Sequence, residues 1–118
     1  MLGMPLLKLE TTAVIPEGKQ KTLLASLSKA TAETIGKPEQ YVMVTASQTA
    51  MVMSCNPGDA AFVDIRSIGG LGEDVNRKLS QQVCGLLKDS LGCSPDRVYL
   101  NFTEVHAGNW GWNGSTFG

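Results

Sequence analysis

The apolar and polar positions of the chain fall into alternating strand-like and helix-like segments. Leu7 and Leu9 alternate with Lys8 and Glu10, the two-residue period of a half-buried strand. Pro5 suits the first residue of such a strand but not the interior of a central one. After the turn Pro16-Glu17-Gly18 the period becomes helical from Lys19 to Ile35, with Leu23, Leu24, Leu27, Ala30 and Ile35 on one face. Gly36 stops this helix, and Pro38 lies just beyond. Tyr41-Val42-Met43-Val44-Thr45 is β-prone and almost continuously apolar, which predicts a strand buried on both faces. A short strand at Met51-Val52-Met53 and a turn at Asn56-Pro57-Gly58-Asp59 are expected next. From Ala61 to Ser67, Phe62, Asp64 and Arg66 alternate with Val63 and Ile65. The cluster Gly69-Gly70-Leu71-Gly72 opens into a second helix, with Asp74 as its expected N-cap. The apolar face of that helix is Val75, Leu79, Val83, Leu86, Leu87 and Leu91, and Gly92 ends it. Val98 to Phe102 is the last long strand expected.

The helix stops reveal an internal repeat. Ile35-Gly36-Lys37-Pro38-Glu39-Gln40-Tyr41-Val42 matches Leu91-Gly92-Cys93-Ser94-Pro95-Asp96-Arg97-Val98 when one residue is inserted before the second proline. Each copy runs helix, glycine, proline, acid, strand, and each follows an earlier strand. The order is therefore β-α-β-β-α-β, an α+β fold. Strands on either side of such a helix run parallel and need a right-handed crossover. Two units side by side give a four-stranded sheet with both helices on one face. The other face lacks cover from this chain, and oligomerisation is the simplest way to supply it.

Composition fits a single domain over residues 5–118, with residues 1–4 an extension or an alternative start. A chain of 118 residues buries enough surface for a core without staples. Charged residues make up only 18%, against a usual value of about 25%, which suggests apolar surface hidden in a subunit contact. A net charge of -1 supplies no basic field for nucleic acid or anionic membrane. No run approaches the ~20 apolar residues that span a bilayer, and the start is too short for a signal peptide. Cys55, Cys84 and Cys93 are odd in number and none forms a CxxC pair, so a reducing, cytoplasmic setting is the expectation. With a single histidine, His106, they make a poor metal site, and no metal or other cofactor is expected.

The residues alone give weak chemistry. The glycine cluster is neither G-x-G-x-x-G nor a P-loop, and a tight strand-to-helix turn explains it. Asp64 and Glu104 could form an acid-base pair, but the pattern favours exposed alternates on two strands. His106, near Glu104, Ala107 and Gly108, reads as a solvated loop residue.

Several stretches in fixed order carry more. They are Met4-Pro5, Gly36-Lys37-Pro38-Glu39-Gln40-Tyr41-Val42 and Ser67-Ile68-Gly69-Gly70 in the first part of the chain. The second half adds Asn76-Arg77-Lys78, Cys84-Gly85-Leu86-Leu87, Ser94 to Asn101, and Gly111-Trp112-Asn113-Gly114-Ser115-Thr116-Phe117. Together they resemble the macrophage migration inhibitory factor family of the tautomerase superfamily, over nearly the whole chain from Met4. The closing run is nearer to the factor branch than to the D-dopachrome tautomerase branch.

The resemblance implies a homotrimer with its sheets facing inward. It also implies cofactor-independent keto-enol tautomerisation of phenylpyruvate-like or dopachrome-like compounds. By the match at Met4-Pro5, the base is the N-terminal amine of Pro5. Lys37 matches a pocket lysine that holds the carboxylate of an aromatic 2-oxo acid, and Ile68 matches a residue lining the pocket. Tyr99 and Asn101 match residues donated by a neighbouring subunit, and their alternate spacing puts them on one strand face. Trp112 and Phe117 match the aromatic mouth, with Tyr41 and Trp110 as further wall residues. Three departures qualify the match. Met1-Leu2-Gly3 precedes Met4-Pro5, and an internal Pro5 nitrogen is an amide without useful basicity. The CxxC of the animal factor falls on Ala60-Ala61-Phe62-Val63, which removes thiol-disulfide chemistry at that place. A receptor role rests on surface detail that the motifs do not carry. The competing readings are a cytokine-like signalling or ligand-binding protein on the same scaffold and a purely structural trimer. Cytoplasmic residence is expected, with leaderless secretion the alternative.

Overall fold

The computed structural model describes residues 4–118. The extension expected at residues 1–4 lies outside the described residues apart from Met4. The chain runs β1 (Leu6–Thr11), α1 (Glu17–Ile35), β2 (Met43–Gln48), β3 (Ala61–Ser67), α2 (Glu73–Leu91) and β4 (Val98–Glu104). A C-terminal hairpin, β5 (Gly111–Trp112) and β6 (Ser115–Thr116), follows. The four long strands form one sheet in the order β2-β1-β3-β4. β1 pairs parallel with β2 and antiparallel with β3, and β3 pairs parallel with β4. This is the β-α-β-β-α-β arrangement expected from the repeat.

The period-two pattern decides which side of the sheet meets the helices. Leu7, Leu9, Val63 and Ile65 are fully buried, and they form one core with Leu23, Leu27, Leu79, Val83 and Leu87 of the two helices. Each such side chain contributes about 1.5–3 kcal/mol by leaving water. The other sheet face carries Lys8, Glu10, Asp64, Arg66, Asn101 and Thr103 together with Leu6, Phe62, Met43 and Tyr99. No element of the described chain covers it, as expected, but it is a mixed surface and not an apolar one.

The repeat is closer than the sequence alignment suggests. One spacing relates Leu6 to Phe62, Glu17 to Glu73, Gly36 to Gly92 and Met43 to Tyr99, with no insertion. Both helices are 19 residues long and both stop at a left-handed glycine. The buried Leu23 and Leu27 correspond to Leu79 and Val83. Even the strand ends correspond. The Thr11 hydroxyl donates to Ala60 O at 2.8 Å and accepts from Ala13 N, while the Ser67 hydroxyl donates to Gly69 O at 2.7 Å.

Several expectations are corrected. Tyr41 belongs to a 3-10 turn, and β2 begins at Met43. β2 is an edge strand, not one buried on both faces: Met43 is 64% exposed, and only Val44 and Ala46 lean on the core. On α1, Leu24 and Ala30 are half-buried, and Thr31 and Ala32 are buried instead, because Leu23, Leu27, Thr31 and Ile35 stand four residues apart on one stripe of the helix. Thr31 is accommodated by donating its hydroxyl to Leu27 O. Gly72, not Asp74, is the N-cap of α2; Asp74 sits in the first turn and pairs with Arg77 at 3.3 Å. Met51–Met53 is no strand, and only a Met53–Asn56 bridge forms. Asp64 is not exposed: its side chain is 14% accessible and bonded to Arg66 at 3.0 Å.

Candidate functional site

Pro5 is fully buried immediately before β1. Its carbonyl accepts a hydrogen bond from Met43 N at 2.9 Å, because the parallel β1–β2 pair brings the two strand starts together. A cavity of about 360 Å³ opens there, lined by Met4, Pro5, Leu6, Gln40, Tyr41, Val42, Met43, Trp110, Gly111 and Trp112. Of the expected site residues, Pro5, Tyr41, Trp110 and Trp112 therefore meet in one place. Phe117 stacks on Trp112, with centroids 6.1 Å apart and planes within 8°.

The C-terminal hairpin supplies the aromatic wall. Asn113 and Gly114 take φ values of 52° and 79°, the left-handed pair that a two-residue hairpin turn demands. Phe117 N donates to Trp110 O at 3.2 Å and ties the returning strand to the start of the hairpin.

Lys37 and the β3–α2 turn that carries Ile68 are brought together by a different device. Lys37 directly follows the glycine stop of α1, and its backbone N–H donates to Ala32 O. Gly70, with φ of 85°, packs onto this corner. A Cβ there would lie 2.7 Å from Ile35 Cγ2 and 3.3 Å from Lys37 Cε, so only glycine lets the β3–α2 turn rest on it. Ile68 is buried in the same turn and borders a separate depression with Glu104, Val105 and His106. Neither Lys37 nor Ile68 lines the cavity at Pro5. Glu104 and His106 are exposed, both as expected.

Tyr99 and Asn101 lie on β4, the opposite edge of the sheet from β2. Both are exposed on the face away from the helices, Tyr99 at 66%. Tyr99 borders a second cavity of about 420 Å³ with Met51, Val52, Met53, Ser54, Ala60, Ala61 and Phe62. One chain thus does not bring Tyr99 to Pro5.

Leu6, Gln40, Val42 and Met43 were not singled out as site residues, although Met43 neighbours Pro5. The signal was present: a β-α-β unit sets its two strand starts side by side, and Met43 opposes Leu6. The three cysteines are free thiols, with Cys55 exposed, Cys84 half-buried and Cys93 buried. Burial pushes the Cys84 and Cys93 thiols above the ordinary value of 9.0. No helix among the described residues is long and apolar enough to cross a membrane.

The duplicated β-α-β unit, with a buried proline before its first strand and an aromatic hairpin over it, defines a small α+β class. Within that class, the family model described as "Macrophage migration inhibitory factor (MIF)" matches residues 4–118, and the chain belongs to this family, part of the tautomerase superfamily. It is 42% identical to macrophage migration inhibitory factor of Rattus norvegicus over 106 residues, 89% of each chain. It is also similar to solved structures. One is a macrophage migration inhibitory factor-like protein of Entamoeba histolytica, at a TM-score of 0.92 and 34% identity, covering 97% of this chain and 99% of that one. A homologue from Prochlorococcus marinus aligns at a TM-score of 0.91 and 38% identity, covering 96% and 99%.

Proposed function

We propose that this protein is a cofactor-independent keto-enol tautomerase of phenylpyruvate-like or dopachrome-like substrates, with the amine of a free N-terminal Pro5 as general base. The observation that carries the reading is the burial of Pro5 in a cavity walled by Tyr41, Met43, Trp110 and Trp112. An α-amino group has a pKa of about 7.7–8.0 in a peptide. Apolar surroundings disfavour the ammonium and lower it, so part of the population is free base near neutrality. Such an amine takes a proton from the carbon beside the substrate carbonyl and returns it to the other end of the enol. The pyrrolidine ring holds the nitrogen in place and limits the entropy lost in aiming it. The aromatic wall accepts a flat ring. Lys37 and Ile68 border no part of this cavity within one chain; their roles, the carboxylate and enolate charge for Lys37 and a lining for Ile68, follow the family resemblance.

In this reading Tyr99 and Asn101 act on the cavity of a neighbouring copy, and the assembly is a homotrimer closed through the uncovered sheet face. The placement of Tyr99 on the sheet edge opposite β2 favours it. Cytoplasmic residence, with leaderless release as the alternative, goes with it. A second reading, a ligand-binding or cytokine-like protein on the same scaffold, is favoured wherever Met4 stays joined to Pro5. The proline nitrogen is then an amide.

The test is optical assay of phenylpyruvate ketonisation by chain beginning at Pro5, with light scattering on the same sample. Turnover by a species of three chains is expected. Pro5→Gly retains partial activity, since a primary amine survives while rigidity is lost. Absent turnover in a chain proven to begin at Pro5 would reject the enzymatic reading, and a stable monomer would reject the shared site.

A further inference from the structure

The cavity beside Tyr99 is bounded by a loop whose shape depends on one side chain. Four backbone carbonyls converge on the Arg97 guanidinium. Nη1 donates to Met53 O at 2.7 Å, Nη2 to Asn56 O and Gly58 O at 2.8 Å each, and Nε to Asp59 O at 3.1 Å. A planar fork of five fixed donors can meet so many acceptors at once, whereas an ammonium group has three donors and no plane. The loop needs such an anchor. Ser54 and Cys55 both take left-handed backbone angles, φ 54° and 60°, which non-glycine residues rarely adopt and surrounding contacts must maintain. Met53 and Asn56 close the turn by exchanging backbone hydrogen bonds at 3.2 and 2.9 Å. Met53 and Ser54 line the same cavity as Tyr99.

The internal repeat adds an independent observation. Arg97 occupies the place that Tyr41 holds in the first half, and each stands two residues before the exposed side chain at a strand start, Tyr99 or Met43. In the first half the aromatic hairpin covers this place; in the second half, the 53–59 loop does.

We propose that Arg97 is a positioning residue for Tyr99: its guanidinium fixes the 53–59 loop, and the loop fixes the opposite wall of the cavity that Tyr99 borders. The contribution to turnover rests on the tautomerase reading above; the effect on Tyr99 does not. The experiment uses the full chain labelled with 3-fluorotyrosine, whose two fluorine resonances are assigned with Tyr41→Phe. Arg97→Lys and Arg97→Gln are compared with Arg77→Gln, which alters only an exposed ion pair. In both Arg97 variants the Tyr99 resonance shifts and broadens while that of Tyr41 stays put, and Arg77→Gln changes neither. With phenylpyruvate, the KM of Arg97→Lys rises several-fold with kcat little changed, and the effect vanishes in a Tyr99→Ala background, where there is no ring to position. An unshifted Tyr99 resonance in folded Arg97→Lys overturns the proposal, and so does an undiminished KM effect in the Tyr99→Ala background. If Arg97→Gln fails to fold, Arg97→Lys carries the test. If the unmutated chain turns over no substrate, the tautomerase reading fails while the fluorine spectrum still decides the role of Arg97.

Discussion

The two halves of the chain share their packing and differ in their chemistry. Leu23 and Leu79, Leu27 and Val83, and the glycine stops Gly36 and Gly92 occupy corresponding places. At the strand starts and turns the correspondence gives way. Pro5 stands opposite Ala61, Lys37 opposite Cys93, Tyr41 opposite Arg97 and Met43 opposite Tyr99. The first half thus has a buried proline, a lysine, an aromatic ring and a thioether, where the second has a methyl group, a buried thiol, a loop-holding guanidinium and an exposed phenol. Helix faces and central strands must stay apolar to keep the core, so divergence fell where the backbone leaves the sheet. That is also where a ligand can reach it.

The largest expected effect tests the shared part. Leu23→Ala and Leu79→Ala each remove a buried leucine from one core, and each costs about 2–5 kcal/mol in urea unfolding. A large difference between the two would mean that the halves are not packed alike. The next effect tests the divergent part. Lys37→Ala weakens binding of a substrate carboxylate by about 1–3 kcal/mol, read as a rise in KM. Cys93→Ala, at the corresponding place, leaves KM unchanged.

Gly70 and Val14 also correspond, and they separate a constrained turn from a free one. Gly70→Ala forces a left-handed residue against Ile35 and is expected to cost about 1–3 kcal/mol. Val14→Ala, at a position 70% exposed, changes stability little. The same Gly70 variant disturbs Lys37, so its activity falls by more than its stability alone explains.

The smallest effect concerns the thiols. In the native protein Cys55 reacts quickly with a thiol reagent, Cys84 slowly, and Cys93 only after unfolding. Because burial raises the Cys84 and Cys93 thiols above 9.0, they hold their protons longer folded than unfolded. Their contribution to stability is complete below pH 9.0 and declines as pH rises through the raised folded values. Unfolding midpoints measured from neutral to alkaline pH check this, and the decline weakens in Cys93→Ala.

Much of this was legible in the sequence. Both helices, their glycine stops and the central strands follow from period and punctuation, because the core enforces them. β2 was misread for a related reason. Met43 is apolar, but it lines the cavity at Pro5 instead of the core, and hydrophobicity does not distinguish a cavity wall from a buried core position. Asp64 was misread because alternation places it on the uncovered face, while its ion pair with Arg66 shields it there. The contact of Gly70 with Lys37 joins residues far apart in the chain, and no local period encodes it. The hairpin at Asn113-Gly114 was available as a turn signal, but its strands are too short to show alternation.

The most direct test of the account is the N-terminal nitrogen itself. Two samples of known N-terminal mass are compared with phenylpyruvate under one optical assay: chain beginning at Pro5, and chain retaining Met1-Leu2-Gly3-Met4. Turnover by the first and little or none by the second is expected, because joining Met4 converts the basic amine to an amide. Equal activity in the two would contradict proline-amine catalysis and leave the cavity at Pro5 as a binding site.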